Sequence, residues 1–294
     1  MHKLNFVSFG EILYDVFDGR KIVGGAPLNV ALRMNSFGHQ VSMISSIGED
    51  EDGANLIQYL KENHINTEGI TTVDYPTGLV QVHLDERNTA SYTINYPSAW
   101  DKIEVSDAMI QLVKSCDVFL YGSLACRDHV SKRTLFKLLG ESSFNVFDVN
   151  LRPPHYDDDT VLDLMKSADL IKFNQEEIEE FTAEMHFSST DLSEEIEFVA
   201  EKTGAKTICV TLGKDGAVLW HDNQFFRNNG YAVKVADTVG AGDSFLATLI
   251  HNLKTQTPPQ DSLDVACAVG SLVTSKRGAN PVIHSHEIYE MLQK

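Results

Sequence analysis

The feature that most restricts this chain is a regular exchange of short apolar runs with stretches whose apolar residues recur every three or four positions. Segments 4–9, 41–47, 118–122, 145–149, 170–174 and 207–212 read as strands. Between them Val30, Ala31, Met34 and Phe37, then Val130, Leu135, Leu138 and Leu139, then Ile178 and Phe181, fall on single helical faces. Strands apolar on both faces, alternating with helices, predict an α/β fold with a mainly parallel central sheet flanked by helices. With 294 residues the chain can form one large α/β unit or two modest ones.

Two stretches break the rhythm. Residues 77–95 alternate with period two: Val80, Val82 and Leu84 on one face, Gln81 and His83 on the other. After a polar turn at 85–88, Ala90, Tyr92 and Ile94 continue the pattern. Segment 12–23 reads as a second short hairpin. Together they predict a small β-sheet lid, 12–23 and 71–97, on a body made of 1–11, 24–70 and 98–294. A further hairpin, 217–220 with 225–227, predicts an antiparallel extension of the main sheet.

Charge and composition narrow the partners. Lys and Arg number 24 against 42 Asp and Glu, a formal net charge of −18, which repels nucleic acid and anionic membrane. No apolar run approaches the ~18 residues of a membrane span, and MHKLNFVSFG reads as a first strand rather than a leader. Cys116, Cys126, Cys209 and Cys267 show no C-x-x-C spacing and lie in or beside apolar stretches. The expectation is a cytoplasmic protein with reduced, mostly buried thiols.

The strongest chemical signal is Asp237-Thr238-Val239-Gly240-Ala241-Gly242-Asp243. It follows a strand-like run at 231–235 and precedes a helix with Phe245, Leu246, Leu249, Ile250 and Leu253 on one face. Glycines at a helix start leave backbone N–H groups open to a ligand, and with the helix dipole they suit an anion. Asp243, in the first turn, is placed to accept the proton of an attacking hydroxyl. The same pattern also suits a plain glycine turn followed by a helix-stabilising aspartate. A second loop, Gly24-Gly25-Ala26-Pro27-Leu28-Asn29-Val30-Ala31, pairs close backbone approach with an amide fit for sugar hydroxyls; it too reads equally as an ordinary helix start, with Pro27 at the first helical position.

In this order the two motifs resemble the paired signatures of the PfkB, or ribokinase-like, carbohydrate kinases. Gly10-Glu11-x-x-x-Asp15, Asn174-Gln175-Glu176-Glu177 and Thr211-Leu212-Gly213-Lys214-Asp215-Gly216 resemble further elements of that family. The likeness runs from Gly10 to about Gly278, and the family's fructokinases are the most similar, through Gly10 to Asp15, Gly24 to Ala31, Ala99-Trp100-Asp101 and Asp148-x-Asn150-x-Arg152. The resemblance implies a ribokinase-like body with a β-lid, the sugar lying between body and lid. It implies a kinase moving the γ-phosphoryl of ATP to a sugar hydroxyl, most readily that of fructose.

By the same resemblance Asp15, Gly25 and Asn29 bind substrate and Asp243 is the base. Gly240, Ala241 and Gly242 supply an anion hole. Asn174 and Glu177 order Mg²⁺, mainly through water, and Thr211, Gly213 and Gly216 meet the nucleotide. K⁺ is implied beside the side chain of Asp237 and carbonyls near Val239, Val273 and Gly278. Arg152 is placed to reach the sugar or the transferring phosphoryl group, or else to pair with the acids at 157–159. Cys267 stands where some relatives carry a polar residue near adenine.

Rival readings have weaker support. A P-loop kinase lacks its G-x-x-x-x-G-K-[ST] signature here. A dinucleotide oxidoreductase needs a third glycine where Phe245 stands. Other acceptors (2-keto-3-deoxygluconate, ribose, a nucleoside) and a non-catalytic sugar sensor stay open, since fold does not choose the acceptor. His284-x-His286 lacks an evident third metal ligand. The apolar row of the lid further predicts a homodimer formed lid to lid, or an open lid on a monomer.

Overall fold

The computed structural model describes residues 3–84 and 90–294. The chain divides into two compact units, residues 4–35 with 39–143 and residues 144–294 with short pieces of the N-terminal half.

In the N-terminal unit the elements are β1 (Asn5–Phe9), β2 (Leu13–Phe17), β3 (Arg20–Gly24), α1 (Ala26–Ser36), β4 (Gln40–Gly48), α2 (Glu51–Glu62), β5 (Asn66–Val73), β6 (Gly78–Leu84), β7 (Ala90–Ile94), α3 (Asp107–Lys114), β8 (Val118–Gly122) and α4 (His129–Leu139). Strands β8, β1, β4 and β5 pair in parallel in that order. Residues on both faces of these strands, Phe6, Phe9, Met43, Ile44, Phe119 and Tyr121, are fully buried. A second sheet has the order β3-β2-β6-β7. Its two hairpins are antiparallel, and β2 joins β6 in parallel.

Strand β5 has no counterpart among the strands predicted from sequence. It is a half-exposed edge strand, Asn-Thr-Glu-Gly-Ile-Thr-Thr-Val, so it shows neither an apolar run nor clean alternation. It pairs with β4 up to Gly48↔Val73, which carries the body sheet three residues past the expected lid boundary at 70. The predicted lid turn 85–88 and the side chains of Val82, Leu84 and Ala90 lie outside the described residues.

The C-terminal unit contains β9 (Asn145–Asp148), α5 (Asp158–Lys166), β10 (Leu170–Asn174), α6 (Gln175–Glu184), α7 (Leu192–Thr203), β11 (Thr207–Thr211), β12 (Ala217–His221), β13 (Gln224–Asn228), α8 (Ala241–Lys254), α9 (Pro259–Thr274) and α10 (Ser285–Leu292). β9, β10 and β11 are parallel, and β12 and β13 extend them antiparallel, as the hairpin pattern predicts. Helices α8 and α9 pack Phe245, Leu249, Leu263, Ala266 and Cys267 against Cys209, Ala217 and Leu219 of the sheet. Segment 231–235 is a correction: it is irregular chain, not strand. The backbone just beyond it is held at the end of α9, where the Ala236 and Asp237 N–H groups donate to the Thr274 carbonyl (2.9 and 3.2 Å). No helix among the described residues is long and apolar enough to cross a membrane.

Candidate active site

Helix α8 carries candidate site residues of the C-terminal unit. Its N-cap, Gly240, is left-handed at φ 74° and offers no side-chain cap. A Cβ there would lie 2.3 Å from the Ala279 carbonyl oxygen, so the turn closes only on glycine. The Ala241 N–H donates to the Thr238 carbonyl at 3.3 Å and the Ser244 N–H to the Gly240 carbonyl at 2.9 Å. What an anion meets is therefore the uncapped first turn, from Gly242 onward, and the positive end of the dipole. Asp243 stands in that turn, half-buried.

The turn before the helix is tied by Asp237. Its carboxylate accepts the Val239 N–H (3.1 Å) and the Gly278 N–H (3.0 Å), so three of the four residues expected around a monovalent cation come together. The fourth, Val273, is buried in α9, and its carbonyl already accepts the Lys276 N–H at 2.9 Å. A carboxylate is a donor that suits a monovalent cation, and both oxygens of this one are engaged by N–H groups. Among the described residues no group of three or more His, Cys, Asp or Glu side chains is placed to hold a metal, and His284 instead caps α10.

The Asn174-x-x-Glu177 element is a capping box. Asn174 ends β10 and caps α6, its Oδ1 accepting the Glu177 N–H (2.8 Å) while Glu177 Oε2 accepts the Asn174 N–H (2.8 Å). Glu177 Oε1 accepts the Leu151 N–H at 3.2 Å, tying the loop after β9 to the start of α6. Burial pushes the Glu177 carboxyl up, and Lys172 opposes that rise. A divalent cation here would be held chiefly through phosphates and water, which suits the local excess of carboxylates: Asp148, Glu177 and Asp243 all act on the single ammonium of Lys172. Arg152 is exposed, with Nη1 donating to the Leu151 carbonyl (2.9 Å).

Thr211 ends β11 directly beside Asn174 in register, and Thr211 Oγ1 donates to the Phe173 carbonyl at 3.3 Å. Gly213 and Gly216 bracket the short turn into β12, closed by the Leu212 N–H on the Gly216 carbonyl (2.8 Å). Cys267 packs in the apolar core, and burial pushes its thiol up to about 12. All four cysteines are buried, and none forms a disulfide.

In the N-terminal unit the predicted substrate residues also converge. Asp15 lies on β2, and its carboxylate rests against Gly24, where a Cβ would lie 2.4 Å from Oδ2. Gly25 accepts the Asn29 N–H at 2.9 Å as α1 begins, and Asn29 is buried. The helix begins at Ala26, so Pro27 takes its second position, not the first. Register puts Asp15 in one cross-strand row with Ile22, Val80 and Ile94, so Asp15 is a carboxylate in an otherwise apolar row of the small sheet.

Two residues escaped the sequence reading. Arg127 pairs with both oxygens of Asp101 (2.7 and 2.8 Å) and stacks on fully buried Trp100 (3.9 Å). Arg127 also donates to the Asn95 carbonyl (2.6 Å), so the Ala-Trp-Asp motif braces the chain just after β7. Lys172 is buried within β10 and bonded to Asp148 at 3.0 Å. A lysine inside an apolar strand run was the available signal.

The sequence profile of the pfkB family carbohydrate kinases matches residues 2–285. Fructokinase-2 of Solanum lycopersicum is 30% identical over 311 aligned positions, covering 94% of this chain and 92% of the tomato protein. A sugar kinase of Pyrococcus horikoshii solved in complex with ATP is 27% identical, with a TM-score of 0.84 over 97% of this chain and 99% of the other. A double mutant of the fructokinase of Vibrio cholerae O395, solved with fructose, ADP and potassium ion, matches at 24% identity and a TM-score of 0.84, over 99% and 100% of the two chains. The fold is therefore ribokinase-like.

Proposed function

The chain belongs to the pfkB family of carbohydrate kinases, ATP-dependent sugar phosphotransferases, and we propose that its acceptor is fructose. The observation that carries this is the Asp15 carboxylate seated on Gly24 beside Gly25 and buried Asn29. It forms a compact set of hydroxyl-binding groups on sequence that resembles the fructokinases. Asp15, Gly25 and Asn29 hold the sugar, with Arg152 contributing to the sugar or the phosphoryl group. Asp243 takes the proton of the attacking hydroxyl. Of the expected anion hole Gly240, Ala241 and Gly242, the Ala241 N–H is spent on the Thr238 carbonyl, so the open first turn of α8 from Gly242 onward stabilises the charge on the transferring group.

Thr211, Gly213 and Gly216 receive the nucleotide. Asn174 and Glu177 orient the water around Mg²⁺, and Asp237 with the carbonyls near Val239 and Gly278 holds K⁺. When bound, Mg²⁺ neutralises the phosphate charge. The four buried thiols, none of them in a disulfide, suit a reducing compartment such as the cytoplasm. The exposed apolar residues of the small sheet, Ile22 and Tyr92, support a lid-to-lid homodimer.

An ADP-release screen with ATP over fructose, ribose, 2-keto-3-deoxygluconate and nucleosides tests the acceptor. Fructose should lead in kcat/KM, and another acceptor with a tenfold advantage overturns that choice. Asp243→Asn should lower kcat by about 10²–10⁴-fold while ATP binding holds; absence of turnover with every sugar would instead favour a sensor.

A further inference from the structure

Lys172 is an unusual occupant of its position. The strand Leu-Ile-Lys-Phe-Asn is buried along nearly its whole length, and interior parallel strands ordinarily fill such sites with Val, Ile or Leu. An ammonium there must recover its lost hydration from partners, and a buried ion pair is often no more stabilising than apolar side chains of equal volume. Stability alone gives no reason for the lysine.

Its surroundings do. Lys172, in the middle of β10, is the register partner of Asp148, the last residue of β9, so the pair lies toward the C-terminal edge of the strands, where open α/β sheets bind ligands. The Asp148 Oδ1 to Nζ distance is 3.0 Å, with both side chains nearly buried. A Cβ on Gly242 would lie 3.7 Å from Nζ, so the ammonium sits beside the first turn of α8. The Asp148 carboxylate that accepts from Nζ holds the ammonium in place beside that turn.

We propose that Lys172 is a positioning residue for phosphoryl transfer: anchored by Asp148, its ammonium orients the Asp243 carboxylate and adds positive potential behind the anion hole at Gly242. It need not touch substrate. This rests on the reading of Asp243 as the base.

The test uses Lys172→Met, the double variant Lys172→Met/Asp148→Asn, and Asp243→Asn, each assayed with ATP and the best acceptor of the sugar panel. Lys172→Met should lower kcat by about tenfold or more while both KM values hold. It also strands a buried carboxylate, so a fall in Tm is expected. The double variant removes the stranded charge and should recover much of the Tm but not kcat. Recovery of kcat along with Tm would reduce Lys172 to a structural partner of Asp148 and overturn the proposal. Near-parental turnover by Asp243→Asn would remove the base reading itself, and this proposal with it.

Discussion

The Asp15 carboxylate and Gly24 are packed so closely that any side chain at position 24 would displace the acid: a Cβ would stand 2.4 Å from Asp15 Oδ2. Gly24→Ala should accordingly lower kcat/KM for the sugar by on the order of 10²-fold, the cost of misplacing a binding group by about an ångström. The KM for ATP should hold. Parental sugar kinetics in this variant would detach Asp15 from substrate binding.

Burial holds the Asp15 carboxyl above the usual carboxylate range. The folded state therefore prefers the protonated form. This contribution is stabilising below the unfolded pKa and is lost as pH rises through the raised folded value. At neutral pH the ionised group costs stability. Asp15→Asn should raise Tm at pH 7 and weaken sugar binding, and the gain in Tm should shrink as pH falls toward ~3.9. Thermal melts across pH decide it; a lower Tm at pH 7 contradicts the argument.

Asn174 and Glu177 are braces whatever else they do. Asn174→Ala should cost about 1 kcal/mol as a lost N-cap. Glu177→Ala, which strips partners from the Leu151 and Asn174 N–H groups, should cost on the order of 2 kcal/mol. Urea unfolding measures both. A Glu177→Ala protein of parental stability, with only its Mg²⁺ response altered, would show that the capping box carries no structural load.

Asp237 joins the turn before α8 to the Gly278 loop, so an ion there would act by ordering the anion hole. Initial rates should be higher in K⁺ than in Na⁺ buffer, and Asp237→Ala should abolish the difference. Equal rates in the two salts for the parent protein would remove the cation from the mechanism.

The small sheet exposes Ile22 and Tyr92, each 59% accessible, on strands whose neighbours include Asp15. Replacing Ile22 and Ile94 by Asp should convert a dimer to a monomer in sedimentation. It should also raise ATP hydrolysis relative to sugar phosphorylation, because water would gain access. A parent already monomeric at micromolar concentration defeats the dimer, and an unchanged hydrolysis ratio defeats the water-exclusion role.

Sequence by itself determined the elements whose signal is local. The strand at 118–122 is a continuous apolar run, α8 shows its apolar face beside a glycine turn, and the motif order points to a carbohydrate kinase; each needs only neighbours in the chain to be read. Tertiary structure decided what depends on distant partners. β5 is a strand because β4 lends it hydrogen bonds, since its own polar residues announce nothing. Segment 231–235 leads into backbone held by the Thr274 carbonyl, a partner some forty residues on. The parallel pairing of β2 with β6 puts Asp15 in one row with Val80, and no spacing along the chain encodes that. Lys172 is the sharpest case: burial, Asp148 and the first turn of α8 together hold its ammonium in place, and the field at a buried site is summed over groups that only folding assembles.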